Sequence, residues 1–119
     1  MTLYGAIEAG GTKFVCAVGG ELGGAMCVHL RISIPTTTPE ETLKKAVDFF
    51  RPQALMAMGV PDANFKIKAM GIASFGPIDL HKDSPTYGHI TTTPKAGWAY
   101  TDLVKPFRDG NLDKVWAVN

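Results

Sequence analysis

A glycine pair set between two apolar runs constrains this chain more than any other feature: Gly5-Ala6-Ile7-Glu8-Ala9-Gly10-Gly11-Thr12-Lys13-Phe14-Val15-Cys16-Ala17-Val18-Gly19. That order predicts two strands joined by a turn too tight for most side chains. Glycine is expected there to supply positive φ and to let backbone N–H groups come close to an anion. Thr12 adds a hydroxyl donor and Lys13 a positive charge. Glu8, a carboxylate a few residues before the turn, makes sense if a divalent cation lies between it and the anion. The segment therefore reads as a turn for the terminal phosphates of a nucleotide.

The two common phosphate loops do not fit. A P-loop requires lysine before the hydroxyl residue and a helix after it, whereas here Thr12 precedes Lys13 and a β-rich run follows. The dinucleotide fingerprint Gly-x-Gly-x-x-Gly does not occur. The phosphates would sit on a hairpin. Taken alone, Gly-Gly-Thr-Lys describes an ordinary hairpin with a solvated lysine, so the reading needs support from elsewhere in the chain.

The 119 residues suffice for one small domain with a core. Apolar content of 45% against 19% charged places the chain among globular sequences. The formal net charge of +1 comes with no basic block, so neither a nucleic acid nor a membrane surface is expected as a partner. No apolar run approaches the roughly 20 residues that cross a bilayer. The start lacks the pattern of a secretory leader, so a cytoplasmic location is expected. Cys16 and Cys27 lie symmetrically about Glu21-Leu22, and in simple hairpin register they would face each other. Two reduced, buried thiols are expected over a disulfide. His29, His81 and His89 are scattered singly, and no zinc-ligand spacing occurs.

Strands are predicted over 3–9, 13–18 and 25–34, with a glycine-rich loop over 19–24, giving an antiparallel meander. A helix start follows. Thr38 suits the N-cap, Pro39 the first helical position and Glu41 the capping box. Leu43, Ala46, Val47 and Phe50 then repeat on one face, and Arg51-Pro52 ends the element. Residues 54–58 read as a brief strand or turn, 59–64 as a loop, and 67–73 as a strand buried on both faces. An extended segment over 87–93, a short helix over 103–108 capped by Asp102, and a last strand over 115–118 complete the pattern. A buried strand with no cover after it implies either a shortened edge or one lobe of something longer.

Two further segments carry chemistry. Gly71-Ile72-Ala73-Ser74-Phe75-Gly76-Pro77 delivers a Gly-Pro turn at a strand end, where ligands of open α/β sheets collect. Tyr87-Gly88-His89-Ile90-Thr91-Thr92-Thr93-Pro94-Lys95-Ala96-Gly97-Trp98 offers hydroxyls, a lysine and an aromatic, which suit a polyol. Asp79 and Asp83 read as solvated loop residues. Trp98 and Tyr87 read as packing residues, and Met56, Met58 and Met70 as core filling.

Together the three segments resemble the bacterial fructokinases of the ROK group (repressor, open reading frame, kinase), sugar kinases of the actin/hexokinase superfamily. The resemblance runs through essentially the whole chain but covers only the family's N-terminal lobe. It implies an α/β fold of ribonuclease H-like type: a mixed sheet with an antiparallel three-strand meander, then strands parallel to the first, and helices packed on the sheet. It implies that Gly10, Gly11, Thr12 and Lys13 face the phosphates of ATP, and that Glu8 helps place Mg²⁺. Gly76, Pro77, Thr92, Thr93 and Lys95 would line the sugar side, with fructose as the implied substrate. The family's catalytic base would lie just beyond Asn119 in an Asp-Val-Asn-Ala type motif, so no acid in this chain takes that role. The family's zinc segment and adenosine-holding lobe would also lie beyond, and the parent would be a homodimer. The alternatives are a kinase of the same group for glucose, mannose or an N-acetylhexosamine, or a non-catalytic repressor-like member. The first strand begins too close to Met1 to leave room for the helix-turn-helix of such repressors.

Overall fold

The computed structural model of the chain describes residues 2–22, 24–60, 66–110 and 114–118. Within them, five strands form one sheet in the order β3-β2-β1-β4-β5. β1 (Thr2–Ala9), β2 (Lys13–Leu22) and β3 (Ala25–Pro35) make the antiparallel meander. β4 (Lys66–Ser74) and β5 (Val115–Val118) join parallel to β1 on its other side. The mixed α/β architecture is the expected one.

Alternation along β1 sets the two faces of the sheet. Leu3, Ile7 and Ala9 are buried, while Tyr4, Ala6 and Glu8 are exposed between them. Phe14, Cys16, Val18, Met70, Ile72 and Val115 are buried with the first set. Burying each large apolar side chain contributes about 1.5–3 kcal/mol, which makes this face the main source of stability. The helix α1 (Pro39–Phe49) packs on β2 and β3 and contacts both of the shorter helices, α2 (Pro52–Ala57) and α3 (Lys105–Asp109). It starts as predicted: the Glu41 amide donates to the Thr38 hydroxyl at 3.2 Å. Leu43, Ala46 and Phe50 are buried, and Val47 packs against the core. No helix among the described residues is long and apolar enough to cross a membrane.

Several local expectations are corrected, among them Met56 and Met58, which are exposed instead of filling the core. β2 does not end at Val18 but runs through Gly19 and Gly20 to Leu22. A Cβ at Gly19 would lie 2.5 Å from the Cys27 carbonyl oxygen, and one at Gly20 would lie 2.6 Å from that of Thr2, so these glycines let neighbouring chains close in. The longer hairpin, with an irregularity between Val18 and Gly19, moves the register. Cys16 stands opposite Ile32, and Cys27 opposite Gly20. Cys16 is buried and Cys27 exposed; both are free thiols that do not face each other. Residues 54–58 are helical for the most part, because Pro52 both closes the preceding stretch and opens α2 at a first-turn position. Residues 87–93 form no strand and contribute isolated bridges, Ile78 with Ile90 and His89 with Asp102. The loop expected over 59–64 lies, beyond its first two residues, outside the described residues.

Among the described residues, side chains meet the open edge of β5. The Tyr87 hydroxyl accepts from the Ala117 amide at 3.0 Å and donates to the Ala117 carbonyl at 3.3 Å. Arg108 donates to the Val115 carbonyl at 3.0 Å. Such capping removes the pairing template that a bare edge presents.

Burial pushes the Cys16 thiol up to about 12, which keeps it protonated and unreactive at neutral pH. Alkylation of the native protein at pH 8 is therefore expected to label Cys27 alone, with Cys16 labelled only after denaturation. Mass spectrometry of the labelled peptides would show it, and equal labelling of both thiols in the native state contradicts the register above.

Candidate functional site

Parallel pairing places Ala9 of β1 opposite Ser74 of β4. The Phe75 amide then donates to the Ala9 carbonyl at 2.8 Å. The two glycine turns, one beginning at Gly10 and the other reaching Gly76, therefore leave the sheet side by side at the carboxyl ends of adjacent strands.

The first turn is closed by the Gly10 amide donating to the Lys13 carbonyl at 2.9 Å. Its glycines are needed for space, not for the positive φ expected of them. Left-handed φ occurs at Gly24, Gly59, Gly76, Gly88 and Gly97, and neither Gly10 nor Gly11 is among these. A Cβ at Gly10 would lie 2.9 Å from the Lys13 carbonyl oxygen, whereas one at Gly11 would meet nothing within 4 Å. Gly10 is thus required by the turn itself, while the space beside Gly11 stays open to a visitor. Thr12 and Lys13 are exposed, as is Glu8 on the outer face of β1.

Among the described residues no group of three or more His, Cys, Asp or Glu could hold a metal ion. Glu8 stands as a single carboxylate near the turn. Mg²⁺ usually keeps several waters and takes one or two carboxylates plus phosphate oxygens. The donor set therefore suits a Mg²⁺ that arrives on phosphate, and does not suit a protein cage.

The second turn is built around Gly76, whose φ of 69° lies in the left-handed region. Its Cα packs against Thr93: a Cβ there would sit 3.4 Å from Thr93 Cβ and 3.5 Å from its Oγ1. The Pro77 carbonyl accepts from both the amide and the hydroxyl of Thr91, at 2.8 and 3.0 Å. Thr93 is half-buried and accepts from the Lys95 amide at 3.2 Å, whereas Thr92 is exposed. Gly76, Pro77, Thr93 and Lys95 are thus assembled by one small network, and Thr93 is the threonine turned to Gly76. Behind it, Trp98 is fully buried, with its ring 5.5 Å from Phe14 and 5.8 Å from Phe75. Its indole N–H donates to the Thr37 carbonyl at 2.9 Å. Trp98 is a packing residue, as read from the sequence, and it ties the segments that follow the two turns.

Asp79 departs from its expected solvated state, its side chain being only 11% exposed. Its Oδ2 accepts from the Ser84 and Thr86 hydroxyls at 2.6 Å each, and its Oδ1 from the His81 amide at 2.9 Å. The Ser84 hydroxyl first, then Thr86 and the His81 amide, hold this carboxyl well below the usual carboxylate range. Its backbone is tied to His89 and Gly88, so Asp79 organises the loop next to the second turn. Asp102 does similar work: one oxygen accepts from the Val104 and Lys105 amides, the other lies 3.2 Å from His89 Nε2. Sequence patterns separate none of this from ordinary loop polarity. The same holds for Thr36, which nothing distinguishes from Thr37 and Thr38 in sequence but which is buried and bonded to the first turn.

The two glycines predict opposite behaviour. Gly10→Ala is expected to destabilise the fold by about 1–3 kcal/mol, an overpacking cost. Gly11→Ala is expected to stay within about 0.5 kcal/mol of the parent. Urea unfolding of both variants checks this, and equal losses would refute the distinction. For Asp79, a depressed folded pKa means that its stabilisation is complete above the ordinary value of about 3.9 and fades as pH falls below it. The melting-temperature gap between the parent and Asp79→Asn is thus expected to be wide at pH 7 and narrower at pH 3. A gap independent of pH would show that ionised Asp79 does not hold the loop.

Known proteins show where this arrangement belongs. The ROK family model matches residues 4–113. The chain is 50% identical over 118 residues to a fructokinase of Pediococcus pentosaceus, covering 98% of this chain and 36% of that protein. It is 47% identical over 102 residues to a fructokinase of Streptococcus mutans, covering 86% of this chain and 30% of that protein. The chain thus spans about a third of the length of the curated relatives it matches. Among solved structures it is similar to a ROK family transcriptional regulator, a homologue of the E. coli MLC protein, with TM-score 0.68 and 15% identity over 99% of this chain and 28% of that one. An inorganic polyphosphate/ATP-glucomannokinase from Arthrobacter gives TM-score 0.57 and 16% identity over 100% of this chain and 44% of that one. At such identities these two structures speak to the fold alone. With the family model spanning nearly the whole chain and the fold agreeing, the chain belongs to the ROK family.

Proposed function

We propose that the chain is the N-terminal lobe of an ATP-dependent sugar kinase that phosphorylates fructose to fructose 6-phosphate. The observation that carries this reading is the juxtaposition of two glycine turns at one sheet edge, joined by the Phe75–Ala9 hydrogen bond. Named fructokinases at 47–50% identity support the choice of sugar.

ATP, bound with Mg²⁺, supplies the phosphoryl group. Gly10 and Gly11 let backbone amides approach its terminal phosphates, and the Thr12 hydroxyl adds a donor. Lys13 neutralises charge on the phosphates, and Glu8 would help hold a hydrated Mg²⁺ that arrives with them. Gly76, Pro77, Thr92, Thr93 and Lys95 contact the sugar and hold its primary hydroxyl toward the phosphate turn. Phosphoryl transfer depends mainly on positioning and charge neutralisation, so this division of labour is sufficient for the lobe. The base that takes the hydroxyl proton is assigned to a segment after Asn119. A second lobe, closing over the first, would exclude the water that competes as nucleophile.

The purified 119-residue chain is accordingly expected to show no turnover of fructose and ATP above background. A polypeptide continuing through the second lobe is expected to form fructose 6-phosphate and to prefer fructose over glucose, mannose and N-acetylhexosamines. Its Lys13→Ala variant should lose about 100-fold or more in kcat/KM. Robust turnover by the short chain, or full activity of the lysine variant, would overturn the assignment. A different preferred sugar would leave the kinase and replace the substrate.

A further inference from the structure

We propose that Thr36 is the positioning residue of the phosphate turn, holding its shape without touching the ligand; this rests on the phosphate reading above. Thr36 follows β3 directly and is 7% exposed. Its hydroxyl donates to the Gly10 carbonyl at 2.7 Å, and its amide donates to the Thr12 carbonyl at 2.9 Å. One buried residue thus grips the carbonyls on both sides of Gly11. In a planar trans peptide the C=O and the following N–H point in opposite directions. Drawing the Gly10 carbonyl toward Thr36 therefore directs the Gly11 N–H away from Thr36. Gripping the Thr12 carbonyl fixes the next-but-one peptide unit in the same manner. Glycine peptides flip readily, so a turn containing two of them needs such a restraint if its amides are to be preorganised for an anion.

Thr36 is itself held. The neighbouring Thr37 amide donates to the Thr42 hydroxyl at 2.9 Å, and that hydroxyl donates to the Pro35 carbonyl at 3.1 Å. Thr42 is fully buried in α1. The Thr37 carbonyl accepts from Trp98, which packs behind both turns. The clamp is therefore anchored to the first helix on one side and to the sugar-side segment on the other.

The test uses the 119-residue chain and Thr36→Val, which keeps the shape and the amide but has no hydroxyl. Thr36→Ser restores the donor, and Tyr87→Phe serves as a control that removes the two hydroxyl hydrogen bonds at the β5 edge. Amide exchange by NMR is expected to show Gly10 exchanging about fivefold faster in Thr36→Val after correction for global stability, the effect of one lost hydrogen bond. Titration with magnesium tripolyphosphate, followed at the Gly11, Thr12 and Lys13 amides, is expected to give about fivefold weaker binding in Thr36→Val and to stay within about twofold of the parent in Thr36→Ser and Tyr87→Phe. In the parent, the Thr36 hydroxyl proton is expected to be slowly exchanging and visible, a readout that needs no variant to fold. Unchanged exchange and affinity in Thr36→Val, or a rapidly exchanging hydroxyl in the parent, would overturn the clamp. If the parent's turn amides do not respond to tripolyphosphate, the phosphate reading fails, while the exchange arm still decides whether Thr36 holds the turn.

Discussion

Ala9 and Ser74 sit opposite each other in the parallel ladder of β1 and β4, and the bond from the Phe75 amide to the Ala9 carbonyl extends that ladder beyond the strands. The meeting of the two glycine turns depends on this pairing. The residues concerned are more than sixty positions apart, and only the register brings Gly10 and Gly76 to the same edge. A slip of one residue would turn Leu3, Ile7 and Ala9 out of the core, so burial itself protects the register. The hydrophobic face and the site geometry are in this sense specified together.

Glycine serves three different purposes here. At Gly19 and Gly20 the missing Cβ lets neighbouring backbones approach closely and carries β2 past its expected end. At Gly76 the backbone takes a left-handed conformation that favours glycine, and Thr93 fills the space beside it. At Gly10 the constraint is the Lys13 carbonyl, and at Gly11 there is no internal constraint at all.

The segment from Phe75 to Val104 has almost no regular structure, yet it is not loosely held. Asp79 gathers hydroxyls and an amide, Asp102 accepts from the Val104 and Lys105 amides while pairing with His89, and Tyr87 seals β5. Trp98 anchors the whole excursion against Phe14 and Phe75. Irregular backbone cannot satisfy its own polar groups, so such a loop holds one shape only when side chains and cross-loop amides supply the partners. The second glycine turn inherits its definition from this network.

The meander, the cap at Thr38, the apolar face of α1 and the glycine turns were legible from the chain, because each depends on residues within a few positions of one another; the helix read over 103–108 with Asp102 as its cap instead spans Lys105–Asp109 with Val104 at its N-cap. Local periodicity and turn chemistry are short-range properties, and they carry the resemblance to the ROK family as well. What needed the tertiary structure was everything set by contacts between distant segments. The shift that separates Cys16 from Cys27 arises where β2 meets β3 with an irregularity that no local pattern announces. The hydrogen-bonded, half-buried state of Asp79, the choice of Thr93 over Thr92, and the grip of Thr36 on Gly10 and Thr12 all depend on which polar atoms meet after packing. A hydroxyl in sequence looks the same whether it faces water or a buried carbonyl, and only folding decides its partner.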